Sequence, residues 1–366
     1  MDKGISLCMI IKNEEKWLEN CLDSIKDLVD EIIIVDTGSI DKSKEIAKKF
    51  TDKVYNFEWC DDFSKARNFC ISKATKQWIL SLDADEVIAD TDKEKIRKIV
   101  KLDEADAFYF NWRDYVNATG FYGWISSKGD KYKESSIAQG FYNTKVLRFF
   151  KNKEEYFFEG RIHETPYNSI IDDSGKIFDT DIVIHHFGNL DKERFIEKKR
   201  KYIELLKQRI KNKDFKEKAE DYVYFEIANE LTNVGELKEA ILFYEKAIEI
   251  NELPLYLLGL GALYIHEKQY DNAEKILKKA VLSEPQNPAI HNNLGVVYVE
   301  KKEYSKAIRK YEKAVELKPD FADAYFNLGV VYRLNKKLNK VQGFFEKAIE
   351  LNPSFKSKVE KLGGEM

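Results

Sequence analysis

At 366 residues the chain is long enough for two or three domains, each with its own core. Its 43% hydrophobic and 34% charged composition is that of a globular protein, and a formal net charge of −3 supplies no global attraction to nucleic acid or to an anionic membrane. No apolar run reaches the roughly 20 residues that a membrane helix needs. The apolar residues 5–11 are followed at once by Lys12, Asn13, Glu14 and Glu15, unlike a secretory signal. Cys8, Cys21, Cys60 and Cys70 lack metal-type spacing and read as reduced thiols of a cytoplasmic protein.

Residues 1–112 alternate short β-like runs with amphipathic helices. The runs predict strands at Ile5–Ile11, Glu31–Asp36, Lys53–Phe57, Trp78–Asp83 and Ala107–Trp112. Between the first two, Trp17, Leu18, Cys21, Leu22, Ile25 and Leu28 recur at helical spacing, with Asn13 as the expected N-cap. Two further helices are expected at Asp41–Lys48 and Asp62–Ala74, the second capped by Asp62 or Ser64. Such alternation implies a mostly parallel sheet covered on both faces, with ligands beyond the carboxyl ends of its strands. Asp36 and Asp83 stand at that edge. Asp83 and Asp85 are separated by one residue, so in an extended chain both carboxylates point to one side and converge on a divalent cation. That pattern is expected for a nucleotide-diphosphate site.

Residues 113–189 are rich in glycine and aromatics and read as β-ribbons and long loops completing the domain. From residue 191 to 218, twelve Lys/Arg against six Asp/Glu predict a solvated connecting helix. After residue 220 a period of 34 appears. Ala273, Ala307 and Val341 keep this step, as do Gly261, Gly295 and Gly329, Tyr264, Tyr298 and Tyr332, and Pro285, Pro319 and Pro353. The pattern resembles the tetratricopeptide repeat, with four units near 221–253, 254–287, 288–321 and 322–355.

The first half resembles family-two glycosyltransferases of the GT-A fold, from Ile5 to about Phe187. The likeness is carried by Ser6-Leu-Cys-Met-Ile-Ile-Lys-Asn-Glu-Glu15, Val35-Asp-Thr-Gly-Ser-Ile-Asp41, Phe63-Ser-Lys-Ala-Arg-Asn68 and Ser81-Leu-Asp-Ala-Asp-Glu86. With repeats appended, the chain looks like a bacterial subgroup of peptide and flagellin glycosyltransferases, relatives of the S-glycosyltransferases of glycopeptide bacteriocins. The resemblance implies an α/β GT-A catalytic domain, Rossmann-like with a mostly parallel sheet, followed by an all-α repeat solenoid. The expected boundaries are 1–190 for the catalytic domain, 191–220 for the charged helix and 221–366 for the repeats.

The same resemblance assigns roles. The backbone around Met9 and Ile11 would line the nucleobase pocket, Asp36 would accept hydrogen bonds from uracil or ribose, and Arg67 would face base or diphosphate. Asp83 would contact ribose or metal-bound water, while Asp85 binds Mn²⁺ or Mg²⁺ directly. Glu164 is the first choice for the base that takes the acceptor's proton, Glu159 the second, and His163 has an equal claim to a structural role. Of His185 and His186, only one should reach the cation, and the position before aromatic-Gly favours His186. Trp112, Tyr122 and Trp124 would line the sugar or acceptor cleft, and Asn292, Asn293 and Asn327 the groove of the repeats.

The function so implied is metal-dependent, inverting transfer of glucose or N-acetylglucosamine from a UDP-sugar to Ser, Thr or Cys of a polypeptide such as flagellin. The repeats would hold this acceptor or pair two copies into a homodimer. No nucleic-acid partner and no membrane span are expected. Two alternatives stand beside this reading: a transferase of lipopolysaccharide or surface-glycan assembly, and a non-catalytic repeat scaffold.

Overall fold

Each of the apolar runs at the N-terminus becomes a strand, bounded close to where its polar neighbours begin. A computed structural model describes residues 2–117, 125–162, 164–215 and 218–363. The chain divides into two units, Met1–Phe195 and Ile196–Met366. The first runs β1 (Asp2–Ile11), α1 (Leu18–Ile25), β2 (Glu31–Asp36), α2 (Ser43–Ala47), β3 (Val54–Asn56), α3 (Phe63–Ile71), β4 (Lys76–Ser81), β5 (Glu86–Ile88), α4 (Asp90–Ile99) and β6 (Ala107–Val116). It continues through β7 (Ile125–Ser126), β8 (Gly140–Lys151), α5 (Tyr167–Asp172), β9 (Ile177–His186) and the start of α6 (Lys192–Lys211).

Strand order is β3-β2-β1-β4-β8-β6-β9-β5, with β7 on β8. The first four strands are parallel. Beyond them β8 pairs antiparallel with both β4 and β6, β9 runs parallel to β6, and β5 runs antiparallel to β9. The sheet is therefore mixed rather than mostly parallel, because β8 folds back along β6 and inserts between β6 and β4.

Alternation along the strands supplies both faces. Leu7 and Met9 of β1, Ile34 of β2 and Trp78 and Leu80 of β4 join α1, α2 and α4 in one core, through Leu22, Ile46 and Ile96 among others. Cys8, Ile33, Val35 and Ile79 face the other way, against Cys70 of α3 and Ile170 of α5. Trp78 lies stacked on Phe149 of β8, ring centroids 4.9 Å apart. Asp62 caps α3 by accepting from Lys65 N at 3.1 Å. Asn13 does not cap α1, which begins five residues later. It takes a left-handed φ of 57°, and its side chain accepts from Ile40 N at 2.9 Å, tying together the loops after β1 and β2.

The second unit holds most of α6, then α7 (Glu220–Val234), α8 (Leu237–Ile250), α9 (Pro254–His266), α10 (Tyr270–Ser283), α11 (Pro288–Glu300), α12 (Tyr304–Leu317), α13 (Ala322–Leu334), α14 (Val341–Leu351) and α15 (Phe355–Gly363). The period of 34 has a packing cause. A Cβ on Gly295 would stand 2.4 Å from the Tyr311 ring, and one on Gly329 2.4 Å from the Phe345 ring. Ala273, Ala280, Ala307, Ala314 and Ala348 are fully buried, where larger side chains would hold the helices apart. Each repeated tyrosine ties its helix to the one before: Tyr264 to Glu245, Tyr298 to Glu274 and Tyr332 to Glu312. Contrary to expectation, α6 is no solvated rod, for it buries Ile203, Leu205, Leu206 and Arg209. Among the described residues, no helix is long and apolar enough to cross a membrane.

Candidate active site at the carboxyl edge of the sheet

Register brings the carboxyl ends of the central strands together: Ile11 pairs with Asp36, and Cys8 with Ser81. After Ser81 the chain leaves β4 and turns. Glu86 N donates to Asp83 O at 3.0 Å, and Asp83 N donates to Glu86 Oε2 at 2.8 Å, so backbone and side chain close the turn from both sides. Asp83 and Asp85 thus lie in a turn, not on an extended strand. The expectation that alternation aims both at one cation is corrected: their carboxylates face different partners.

Asp83 faces two arginines. Arg67 Nη2 reaches its Oδ1 at 2.7 Å, and Arg148 Nη2 its Oδ2 at 3.0 Å. Arg67 also contacts Glu164 Oε1 through Nε at 2.5 Å and Ser81 Oγ through Nη1 at 3.2 Å. Its guanidinium is almost wholly buried; that burial works against its charge, but Asp83 and Glu164 more than offset it and raise its pKa. Arg148 sits where the β6–β8 register slips between Phe108–Phe149 and Tyr109–Leu147. It is the extra residue of a bulge, which re-aims its side chain toward Asp83 and Glu86.

Asp85 faces β9. Its Oδ2 lies 3.6 Å from His186 Nε2 and 3.7 Å from Arg194 Nη2. Gly188 makes this approach possible, since a Cβ there would fall 2.3 Å from Asp85 Oδ2 and 2.8 Å from His186 Nε2. His186 pairs in register with Glu86 on one side and Asp114 on the other, which sets three ionisable residues in a row across β5, β9 and β6. Asp114 Oδ1 lies 2.8 Å from His186 Nδ1. Burial pushes the imidazole down, but the Asp85 charge and the Asp114 hydrogen bond outweigh it and lift its pKa to about 10. Glu86 is fully buried, which raises its carboxyl pKa, and it accepts from Trp112 Nε1 at 2.7 Å.

His185 points away from this cluster. It lies 2.7 Å from the Tyr115 hydroxyl, stacks on that ring and meets Tyr132 edge-on; burial pushes its pKa down to about 4. Trp112 stacks on His186, centroids 4.5 Å apart, and so forms a wall of the site. Asp36 is almost fully buried and accepts from Gly38 N and Ser39 N at 3.1 Å, with Lys44 Nζ at 3.0 Å. It shapes the loop after β2. Met9 is buried in β1, and the Ile11 carbonyl accepts from Thr37 N at 3.0 Å. Glu159 stands apart: it bridges to Thr165 through its backbone and accepts from Asn168 Nδ2 at 3.0 Å. His163, Tyr122 and Trp124 lie outside the described residues. In the second unit Asn292 is buried and accepts from Asn327 Nδ2 at 3.0 Å.

An oxygen and an imidazole nitrogen facing each other across a notch that only glycine leaves open suit a hard divalent cation such as Mn²⁺ or Mg²⁺. The donor set fits. Among the described residues, no cluster of three or more His, Cys, Asp or Glu side chains could hold a metal by itself. An open groove of about 620 Å³, lined by Lys26, Lys49, Lys53 and Lys76, lies at the opposite edge, where β2 and β4 begin. Lys26, Lys49 and Lys53 are paired with Asp23, Glu19 and Glu31, and the cluster's residues do not line it.

Residues 6–175 match the family model for glycosyl transferase family 2. Residues 233–296 and 322–355 match tetratricopeptide repeat models, and residues 297–335 match a TPR repeat model. A TPR repeat-containing protein of Synechococcus elongatus is 35% identical over 170 residues, 46% of this chain and 36% of that protein. The SPbeta prophage-derived glycosyltransferase SunS of Bacillus subtilis is 32% identical over 166 residues, 45% of this chain and 35% of SunS. An uncharacterized glycosyltransferase of Rickettsia typhi is 27% identical over 201 residues, 54% and 64% of the two chains. The chain thus spans about a third of the length of the first two relatives. It carries a glycosyl transferase family 2 domain at its N-terminus, followed by tetratricopeptide repeats.

Proposed function

We propose that this protein is a metal-dependent, inverting glycosyltransferase that moves a hexose from a UDP-sugar to a Ser, Thr or Cys side chain of a polypeptide. The observation that carries this reading is the facing pair Asp85 and His186 at the carboxyl edge of the sheet, with Gly188 opening the space between them. Asp85 and His186 would hold a divalent cation, which would supply a Lewis acid to offset the charge developing on the departing diphosphate. These two residues would be its protein donors, and few protein ligands are usual for such cations.

The chain's own residues supply the rest. Arg67 and Arg148 hold the Asp83 carboxylate in one orientation at the donor end of the site. Glu164, whose Oε1 is fixed by Arg67, is the proposed base. It takes the proton from the acceptor hydroxyl or thiol as that oxygen or sulfur attacks the anomeric carbon, opposite the departing diphosphate. The repeats are the proposed acceptor-binding unit, since stacked helix pairs present an extended concave surface.

Incubation with UDP-glucose or UDP-N-acetylglucosamine, Mn²⁺ and candidate polypeptides, flagellin first, tests the reading by intact-mass spectrometry. The expected result is the mass of one sugar added by the wild type and lost with Asp85→Ala and Glu164→Gln. Equal increments from all three proteins would refute the assigned roles. No increment, together with no UDP release, would refute the activity.

A further inference from the structure

His186 is held on two sides and left open on a third. Asp114, its partner in register, meets Nδ1 at 2.8 Å, and a carboxylate there can only accept, so Nδ1 carries the proton. The second oxygen of Asp114 is itself fixed, by Asn189 Nδ2 at 2.5 Å. Trp112, two residues earlier on β6 and therefore on the same face, stacks over the imidazole with 29° between the planes. Its indole N–H is tied to Glu86, the register partner on the other side of His186. On the third side is Gly188, whose missing side chain leaves Nε2 open toward Asp85. A ring with one nitrogen committed to a carboxylate and one face against an indole cannot flip. Nε2 is the nitrogen that faces Asp85, and a cation bound there would replace its proton.

We propose that Asp114 is a positioning residue that makes His186 Nε2 the nitrogen donor of the cation site and thereby sets a preference for Mn²⁺ over Mg²⁺. The proposal rests on the reading of Asp85 and His186 as the cation's protein donors. Both cations favour oxygen donors, but Mg²⁺ gives up its water reluctantly and demands near-ideal octahedral geometry, so a correctly aimed nitrogen helps Mn²⁺ more than Mg²⁺. Outer partners of this kind orient a ligating histidine and raise its basicity, and their loss weakens metal binding by about 10–100-fold.

Calorimetric titration of Mn²⁺ and of Mg²⁺ into the full chain with excess UDP tests this, without recourse to turnover. With Asp114→Ala, Mn²⁺ affinity should fall about 10–100-fold and Mg²⁺ affinity by less, so that the ratio of the two drops. Asp114→Asn keeps an amide oxygen able to accept from Nδ1 and should recover most of the loss. Asn189→Ala should fall between wild type and Asp114→Ala. Thermal melts report whether each variant is folded, and the Asn variant retains the test should the Ala variant not fold. An unchanged Mn²⁺/Mg²⁺ ratio in Asp114→Ala, or an Asn variant as weak as the Ala variant, would overturn the proposal. Should Asp85→Ala and His186→Ala also bind Mn²⁺ as wild type does, the cation site itself would be refuted along with it.

Discussion

Arg67 illustrates how much a single buried charge carries at this edge. Its guanidinium serves Asp83, Glu164 and Ser81 at once, so its removal takes a charged partner from two carboxylates, of which Asp83 keeps Arg148. Breaking such a pair by deleting one partner costs about 3–5 kcal/mol, whereas the intact pair contributes little net. Arg67→Met should therefore lower unfolding free energy by about 3 kcal/mol in urea titration. Arg67→Lys should recover only part of this, since an ammonium lacks the fork that reaches both carboxylates. Glu31 makes a second residue-scale prediction. Burial pushes its carboxyl up, but Lys53, Ser6 and Thr75 together overcome this and hold it down at about 2. A depressed carboxyl contributes stability above its unfolded pKa of roughly 4.3 and loses it as pH falls toward 2. Glu31→Gln should be less stable by about 2 kcal/mol at pH 6, allowing for the half-exposed Lys53, and the difference should vanish near pH 2.

At the scale of elements, helix propensity and packing make opposite predictions for Gly295. Alanine in a helix interior is favoured over glycine by about 1 kcal/mol. At this position the added Cβ would meet the fully buried Tyr311 ring at 2.4 Å, and overpacking of that kind costs about 1–3 kcal/mol. Packing should win, and Gly295→Ala should lower the melting temperature. The same elements show what the sequence made legible. Strands β1, β2 and β4 were readable because apolar runs end sharply at polar residues, and the repeats because close helix contact demands a small residue every 34 positions. The insertion of β8 was not, because an antiparallel pairing between strands distant in the chain leaves no local pattern. Arg148 depends on a bulge that appears only once two strands are paired. Asp114 stands 72 residues before the histidine it meets. The reading of Asp83 and Asp85 as an extended pair failed for a local reason, the turn closed by Glu86, a residue that stood in the motif without a role.

On the scale of the whole molecule, the proposed function divides its tasks between the two units: sugar donor and chemistry in the first, acceptor recognition in the second. A substitution in the repeats should then change the acceptor KM without touching the slow hydrolysis of UDP-sugar. Asn327→Ala removes the amide that pairs with Asn292 and should raise the KM for a polypeptide acceptor several-fold while UDP release without acceptor stays at the wild-type rate. The family expectation and the arrangement of an α/β domain ahead of helical repeats both hold at this scale. The most direct test of the central claim is calorimetric measurement of UDP binding to the full chain with and without Mn²⁺, in the wild type and in Asp85→Ala. Binding at least about tenfold tighter with Mn²⁺ in the wild type alone is the result predicted if Asp85 and His186 hold a cation that offsets the charge of the diphosphate. Equal UDP affinity with and without Mn²⁺ would contradict it.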